Sequence, residues 1–259
     1  MKKLALLTLA LNSIAPSFAE VDAGKSDMPG HRSSSVSFVS PALENYIQSA
    51  INDDLWKRPQ LSPRDRSIVT LAVIISRNQV SLLPNEVNRA LDNGVKPGEI
   101  SEIITHLAFY SGLANATSAS DIVQPIFVSR GIEQKAMPVA NPTLLPLDEK
   151  AEEKRVAQAN EIVGAVSPGL VKYTTDVLFH SLWLRPDLAP RDRSLVTMTS
   201  LIANGQVGQI GFHLNKAMDN GLTREQVGES IAQIAFYAGW PNAFSAVPVI
   251  RDVLDKRAG

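Results

Sequence analysis

His213 is the residue in this chain whose type and setting point most directly to proton chemistry. It falls in a helical pattern whose apolar positions are Ile210, Leu214, Ala217 and Met218, and at about 100° per residue it lies roughly 60° from Ile210, on the flank of that face. A flank can open on a pocket, and an imidazole with an ordinary pKa of about 6.5 exchanges protons near neutrality. The competing reading is a half-buried structural histidine. Arg191 and Arg193, echoed by Arg64 and Arg66, could grip a substrate carboxylate through paired N–H donors, or could pair with neighbouring acids such as Asp192 and Asp65. Trp183, Tyr237 and Trp240, with counterparts Trp56 and Tyr110, suit either pocket walls with a polar tip or core packing.

Other chemistries are excluded by composition. The 259 residues contain no cysteine, which removes disulfides, thiol nucleophiles and cysteine-based metal sites. The four histidines, His31, His106, His180 and His213, show no spacing suited to a metal, and neither a metal nor a cofactor is expected. Net charge is −1 with Lys and Arg scattered, so no nucleic-acid surface is indicated.

The elements that must position these residues occur twice. LSPRDRS at Leu61 matches LAPRDRS at Leu188, Asp92-Asn93-Gly94 matches Asp219-Asn220-Gly221, and AFYSG at Ala108 matches AFYAG at Ala235, all at an offset of 127 (190 − 63). The same offset joins Ser40-Pro41 to Ser167-Pro168 and Trp56-Lys57-Arg58-Pro59 to Trp183-Leu184-Arg185-Pro186. A first module at 40–125 and a second at 167–252 follow, each able to bury its own core, joined by a proline-marked linker and connecting helix over 126–166. Asp148 to Val163 is predicted helical, burying Val156 and Ile162-Val163.

Within each module the signals are helical. Ser62-Pro63 reads as an N-cap with proline in the first turn, before an apolar run central to the bundle. Gly94 and Gly221 end a second helix, Thr223 and Gln226 form a capping box at a third, and a last helix starts near Asn115 or Asn242, which could cap it. Pro84 stands opposite Gly211 and should shift its helix start. The fold class is all-α, a tandem duplicated helical module.

Taken together, Trp-x-Arg-Pro, Leu-x-Pro-Arg-Asp-Arg-Ser, Phe-His-Leu, Asn-Gly-Leu-Thr-Arg-Glu and Tyr-Ala-Gly-Trp-Pro resemble the carboxymuconolactone decarboxylase family, part of the alkylhydroperoxidase D-like superfamily. The resemblance implies a helical fold with small-molecule pockets between helices and oligomers of paired modules. In its peroxidase branch the two cysteine positions correspond to Gln206 and Gln209, the histidine to His213 and a glutamate to Ser194; in the first module they correspond to Gln79, Leu82, Glu86 and Ser67. With no thiolate, peroxide reduction is not expected. The decarboxylase branch implies lyase or isomerase-type acid–base chemistry on a small carboxylate or lactone. Its catalytic residue here would be His213, with Arg191, Arg193, Trp183, Gln209, Tyr237 and Trp240 around the substrate and Gln209 where such enzymes carry glutamate. The alternative is a non-catalytic binding or scaffold module, since His213 is matched by Glu86 and His106 by Gln233 across the repeat.

Residues 1–19 read as a secretory signal peptide, with Met1-Lys2-Lys3 before an apolar run and a cut after Ala19, so a periplasmic or secreted protein is expected. Residues 20–39 read as a flexible lead-in. The apolar run falls short of the roughly 20 residues of a membrane span, and no membrane partner is expected. The expected partners are a small anionic substrate and further copies of the chain, three of which would reproduce the six-module ring that the resemblance implies.

Overall fold

The computed structural model of the protein describes residues 31–258. The expected signal peptide, and the lead-in as far as residue 30, lie outside the described residues. The chain divides into two compact units, one ending at Asn45 and one beginning at Tyr46. The first carries α1 (His31–Val39) and most of α2 (Pro41–Tyr46). Residues 31–39 are thus helical rather than an irregular lead-in: of the features behind that expectation, Gly24 and Pro29-Gly30 precede α1, and Ser33-Ser34-Ser35 lie within it.

The second unit continues through α3 (Pro63–Ser76), α4 (Leu83–Asp92), α5 (Pro97–Tyr110) and α6 (Leu113–Ser129). After the connection come α7 (Glu149–Ala159), α8 (Pro168–Tyr173), α9 (Pro190–Ala203), α10 (Val207–Asp219), α11 (Arg224–Ala238) and α12 (Trp240–Ala258). No strand occurs among the described residues, and the repeat offset carries α3 onto α9, α5 onto α11 and α6 onto α12. No helix among the described residues is long and apolar enough to cross a membrane.

The local signals act as the sequence suggests. Ser62 Oγ accepts from the Asp65 amide at 3.1 Å, and Thr223 and Gln226 close a reciprocal capping box. Gly94 and Gly221 sit at φ +88° and +99°, where a side chain would be strained. Pro84 lacks the amide hydrogen needed inside a helix, and α4 starts three residues later in the repeat than α10, at 83 against 80 (207 − 127). Asn115 and Asn242 play a different part from the N-cap expected of them. Their side-chain amides donate to Ser76 O and Ser111 O, and to Ala203 O and Ala238 O, satisfying carbonyls at the ends of preceding helices.

One capping difference is informative. Ala189 holds the Ser62 position at the start of α9, with similar backbone angles (φ −53°, ψ 142° against φ −62°, ψ 153°), but offers no acceptor. Ala189→Ser should therefore stabilise the protein by about 1 kcal/mol, read as a higher urea midpoint with an unchanged slope.

The modules bury one common core rather than two. α3 and α9 pack directly against each other, and every residue from Asp65 to Ser76 and from Asp192 to Ala203 is buried. Their apolar residues join those of the surrounding helices in a single cluster. The third helices cross over, α5 packing on α9 and α11 on α3, so each module's central helix is covered by its partner's third helix. The connecting helix α7 also departs from expectation. It buries Glu152 and Arg155, while Ile162 lies beyond its end and is exposed. A bidentate pair, Arg155 Nε and Nη2 to Glu152 at 2.7 and 2.6 Å, makes that polar face burial possible.

Candidate active site between the modules

The crossover builds two related clusters, each drawing residues from both modules. In one, Arg193 of α9 is fully buried and donates to Glu102 of α5 at 2.9 Å and to Arg185 O at 3.0 Å. Arg185 Nε also reaches Glu102, at 2.8 and 3.1 Å. In the other, Arg66 donates to Glu229 of α11 at 2.7 Å and to Arg58 O at 2.8 Å, and Arg58 grips the same carboxylate. Burial pushes the Glu102 carboxyl up, but the hydrogen bonds and charges of Arg185 and Arg193 outweigh it and hold the group below its ordinary value. Arg191 and Arg64 are likewise committed. Arg191 binds Asp65 at 2.6 Å and Asp192 at 2.8 Å, while Arg64 binds Asp192 and Glu99, each at 2.7 Å. The structure therefore places Arg191 and Arg193 in inter-module ion pairs, with their charges already matched by acids.

His106 belongs to the same framework. Its Nδ1 lies 3.4 Å from Arg193 Nη1, a group that can only donate, so Nδ1 is the bare nitrogen and Nε2 carries the hydrogen. Nε2–H then donates to Thr197 Oγ1 at 2.7 Å, whose own hydrogen goes to Arg193 O at 2.9 Å. Complete burial, with Arg193 alongside, holds His106 well below its ordinary pKa and neutral. Its repeat partner shows that no titration is needed: Gln233 accepts from Arg66 at 3.1 Å and donates to Thr70 at 3.0 Å, the same two roles on an amide. His106→Gln should accordingly change stability by about 1 kcal/mol or less, whereas His106→Leu, which strands Arg193 and Thr197, should cost roughly 2 kcal/mol or more in urea unfolding.

The aromatic residues sort across the modules as well. Trp183 Nε1 donates to Tyr110 at 2.9 Å, and Trp56 Nε1 donates to Tyr237 at 3.1 Å. Tyr237 therefore stands with Trp56 and Glu86, and Tyr110 with Trp183 and His213. Trp240 packs edge-on against Phe236 with half its surface exposed, and Gln209 is exposed at the start of α10. Neither joins the His213 cluster in the described contacts.

His213 lies between Trp183, Tyr110 and Phe212, with ring centroids at 6.0, 5.4 and 5.0 Å. It is 9% exposed, and its buried Nδ1 has no hydrogen-bond partner among the described residues. The equivalent residue, Glu86, is also buried with an unpartnered oxygen, Oε2. Polar atoms left unpaired in a core cost stability, and one recurs at this repeat position in each module. Burial, aided by the Lys216 charge, lowers the His213 pKa to about 4, so the imidazole is neutral at pH 7 rather than poised at its ordinary value.

That shift has a thermodynamic consequence. Between pH 6.5 and about 4 the unfolded chain takes up a proton at position 213 that the native protein refuses, so stability falls as pH drops through this window and is unaffected above it. The wild type should lose about 3 kcal/mol more than His213→Asn across the window, measured by urea unfolding at successive pH values.

Beside this cluster is a cavity of about 430 Å³. Trp183, Phe179 and Phe212 form its aromatic wall, Lys216 projects from α10, and the connection supplies Leu145 to Asp148 and part of α7. His213 is not in the lining, but two lining side chains, Trp183 and Phe212, pack on it. Lys216 Nζ sits 4.8 Å from the Trp183 ring and, among the described residues, makes no hydrogen bond or close ion pair, although Glu152, Asp219 and Asp148 act on its charge from further away while burial lowers its pKa. Neither Lys216 nor the connection was marked by sequence reasoning. A signal was present in the repeat, because Arg89 lies at the Lys216 position and stacks 4.5 Å from Trp56.

A helical scaffold of two like modules, with proton-transfer candidates buried between them beside a small-molecule cavity, is the class that fold and site define. The chain belongs to the carboxymuconolactone decarboxylase family, whose sequence profile matches residues 41–125 and again 168–252. Among its relatives is 4-carboxymuconolactone decarboxylase of Acinetobacter baylyi, 30% identical over 90 residues, covering 35% of this chain and 67% of that protein. Nitrosuccinic acid decarboxylase of Metarhizium robertsii is 31% identical over 86 residues, 32% of this chain and 60% of that protein. A solved structure described as a gamma-carboxymuconolactone decarboxylase subunit from Burkholderia xenovorans shares the fold, with a TM-score of 0.52 at 19% identity, over 87% of this chain and 91% of that one.

Proposed function

We propose that this protein is a lyase or isomerase that performs acid–base chemistry on a small carboxylate or lactone at the second-module cavity, with His213 moving the proton. The observation that carries this reading is the buried, unpartnered His213 Nδ1 beside a cavity that contains an unpaired cation. Two decarboxylases among the relatives support the reaction class.

Loss of CO₂ leaves an electron pair on carbon that must be protonated, and isomerisation needs a proton removed and returned. With its pKa held near 4 the imidazole is a weak base in the free protein, and a substrate carboxylate bound close by would raise that pKa toward neutrality, so that the ring could take up a proton and pass it to carbon. Trp183 and Phe212 would have to shift slightly for the reacting carbon to reach the ring. The test is a screen of small carboxylated lactones and keto acids for CO₂ release or a change in ultraviolet absorption. His213→Ala with unchanged activity on a turned-over compound would overturn the assignment.

A non-catalytic binding role is favoured by one observation, that His213 stands behind the lining rather than in it. That role would appear as saturable binding without turnover. We also read the protein as exported after cleavage at Ala19 and assembled as a trimer. Support for assembly comes from Trp240, Phe244 and Val247, which are 50, 69 and 42% exposed at helical spacing on α12. Mass spectrometry of the mature N-terminus and sedimentation test the two; a stable monomer would contradict the second.

A further inference from the structure

We propose that the connection between the modules makes the second-module cavity selective for a monoanion with a flat apolar body, the body against Trp183 and Phe179 and the anion on Lys216. This rests on the cavity being the substrate site and adds which substrates it takes. The wall formed by Leu145 to Arg155 lies outside both stretches matched by the family profile, so it belongs to this chain's connection and not to the module.

The wall is fastened in place. Leu145 N donates to Leu184 O at 2.8 Å, next to Trp183. On α7, Arg155 donates to Glu152 and to Thr175 at 2.9 Å, and its guanidinium stacks 4.3 Å from the Phe179 ring. His180 Nε2 meets Glu152 at 2.8 Å. These contacts hold the connection over the aromatic wall, where Trp183 and Phe179 lie parallel within 3° at 6.0 Å and Phe212 meets Phe179 edge-on. A volume of about 430 Å³ is in the range of pockets that enclose a single small molecule.

The charges set the selectivity. Of the ionic side chains lining the cavity, Glu152 and Arg155 neutralise each other and Asp219 is bound by Arg257 at 2.7 Å. Two remain without a close ionic partner: the Lys216 ammonium, and Asp148, whose carboxylate caps α7 by accepting from Ala151 N at 3.0 Å and acts on Lys216 through space. One carboxylate on the ligand finds Lys216. A second meets Asp148 or the paired acids and must give up its water without a partner, so it opposes binding.

The experiment is calorimetric titration of the full chain with phenylacetate, its uncharged amide phenylacetamide, and the dianion homophthalate. Phenylacetate should saturate the wild type, with homophthalate about tenfold weaker or more. Lys216→Met should weaken phenylacetate by about tenfold or more and leave phenylacetamide within about twofold, whereas Lys216→Arg should retain the preference. Asp148→Asn, which preserves the helix cap, should narrow the gap between dianion and monoanion. These readings need no turnover, so they stand or fall separately from catalysis by His213. Equal binding of the two anions, phenylacetate binding indifferent to Lys216→Met, or no saturable binding of phenylacetate at millimolar concentration would each overturn the proposal. If Lys216→Met fails to fold, the wild-type comparison and Asp148→Asn still decide it.

Discussion

His213→Asn should lower turnover by about 10² to 10⁴ while leaving ligand affinity nearly unchanged. Asparagine keeps a polar side chain of similar reach but cannot take up a proton, so the variant removes the chemistry and little of the volume. Affinity survives because Trp183, Phe179 and Lys216 face the cavity and His213 stands behind them. The contrast with His106 sharpens the expectation. Both imidazoles are buried and neutral, but both nitrogens of His106 are engaged, by Thr197 and Arg193, and Gln233 does the same work in the repeat. His213 Nδ1 has no hydrogen-bond partner among the described residues, and its repeat partner is a carboxylic acid, another group able to exchange a proton. His106→Gln should therefore retain most of the activity that His213→Asn loses. Separate measurement of kcat and KM for the two variants checks this.

Glu102→Ala should destabilise the protein by roughly 3–5 kcal/mol, a large share of the 5–15 kcal/mol typical of a folded domain. Glu102 is 1% exposed and receives Arg193 and Arg185 together. Without it, Arg193 remains a fully buried cation whose other hydrogen-bonding contacts are a carbonyl and a neutral histidine. Burial already lowers the Arg193 pKa even with Glu102 in place, which shows how poorly the surroundings solvate that charge. Glu229→Ala should cost less, because its second arginine, Arg58, has a side chain 43% exposed and can turn to water. Urea unfolding of the two variants tests the size and the order of these effects. Since both glutamates reach across the modules, the losses would also show that the inter-module ion pairs hold the common core together.

The fold was legible because its signals are local or repeated. The constant offset located both modules, and the Ser62 cap, the Thr223–Gln226 box and the Gly94 and Gly221 turns each depend on a few adjacent residues. The site was less legible because it is made by crossover. Nothing near Trp183 in the sequence says that its partner is Tyr110 rather than Tyr237, or that Glu102 will neutralise Arg193. The repeat itself hid the distinction, since it aligns equivalent residues and not touching ones. Retention of an acid at both 102 and 229, and at both 65 and 192, was the available hint that the arginines would be spent within the protein. Lys216 escaped notice because a single lysine on a polar helix face is ordinary until its surroundings show that it faces a cavity with no acid in hydrogen-bonding contact. The wall contributed by the connection could not be read from composition, because its buried face is an ion pair and not an apolar stripe.

The central claim is that a bound carboxylate sits close enough to His213 to control its proton. The most direct measurement is an NMR titration of the His213 ring, assigned by comparison with His213→Asn, in the free protein and in the presence of saturating phenylacetate. The expected result is a midpoint near pH 4 in the free protein and a clear upward shift when the anion is bound. A midpoint that does not move on saturation would contradict it, because the cavity would then bind its ligand too far from His213 for that residue to serve the reaction.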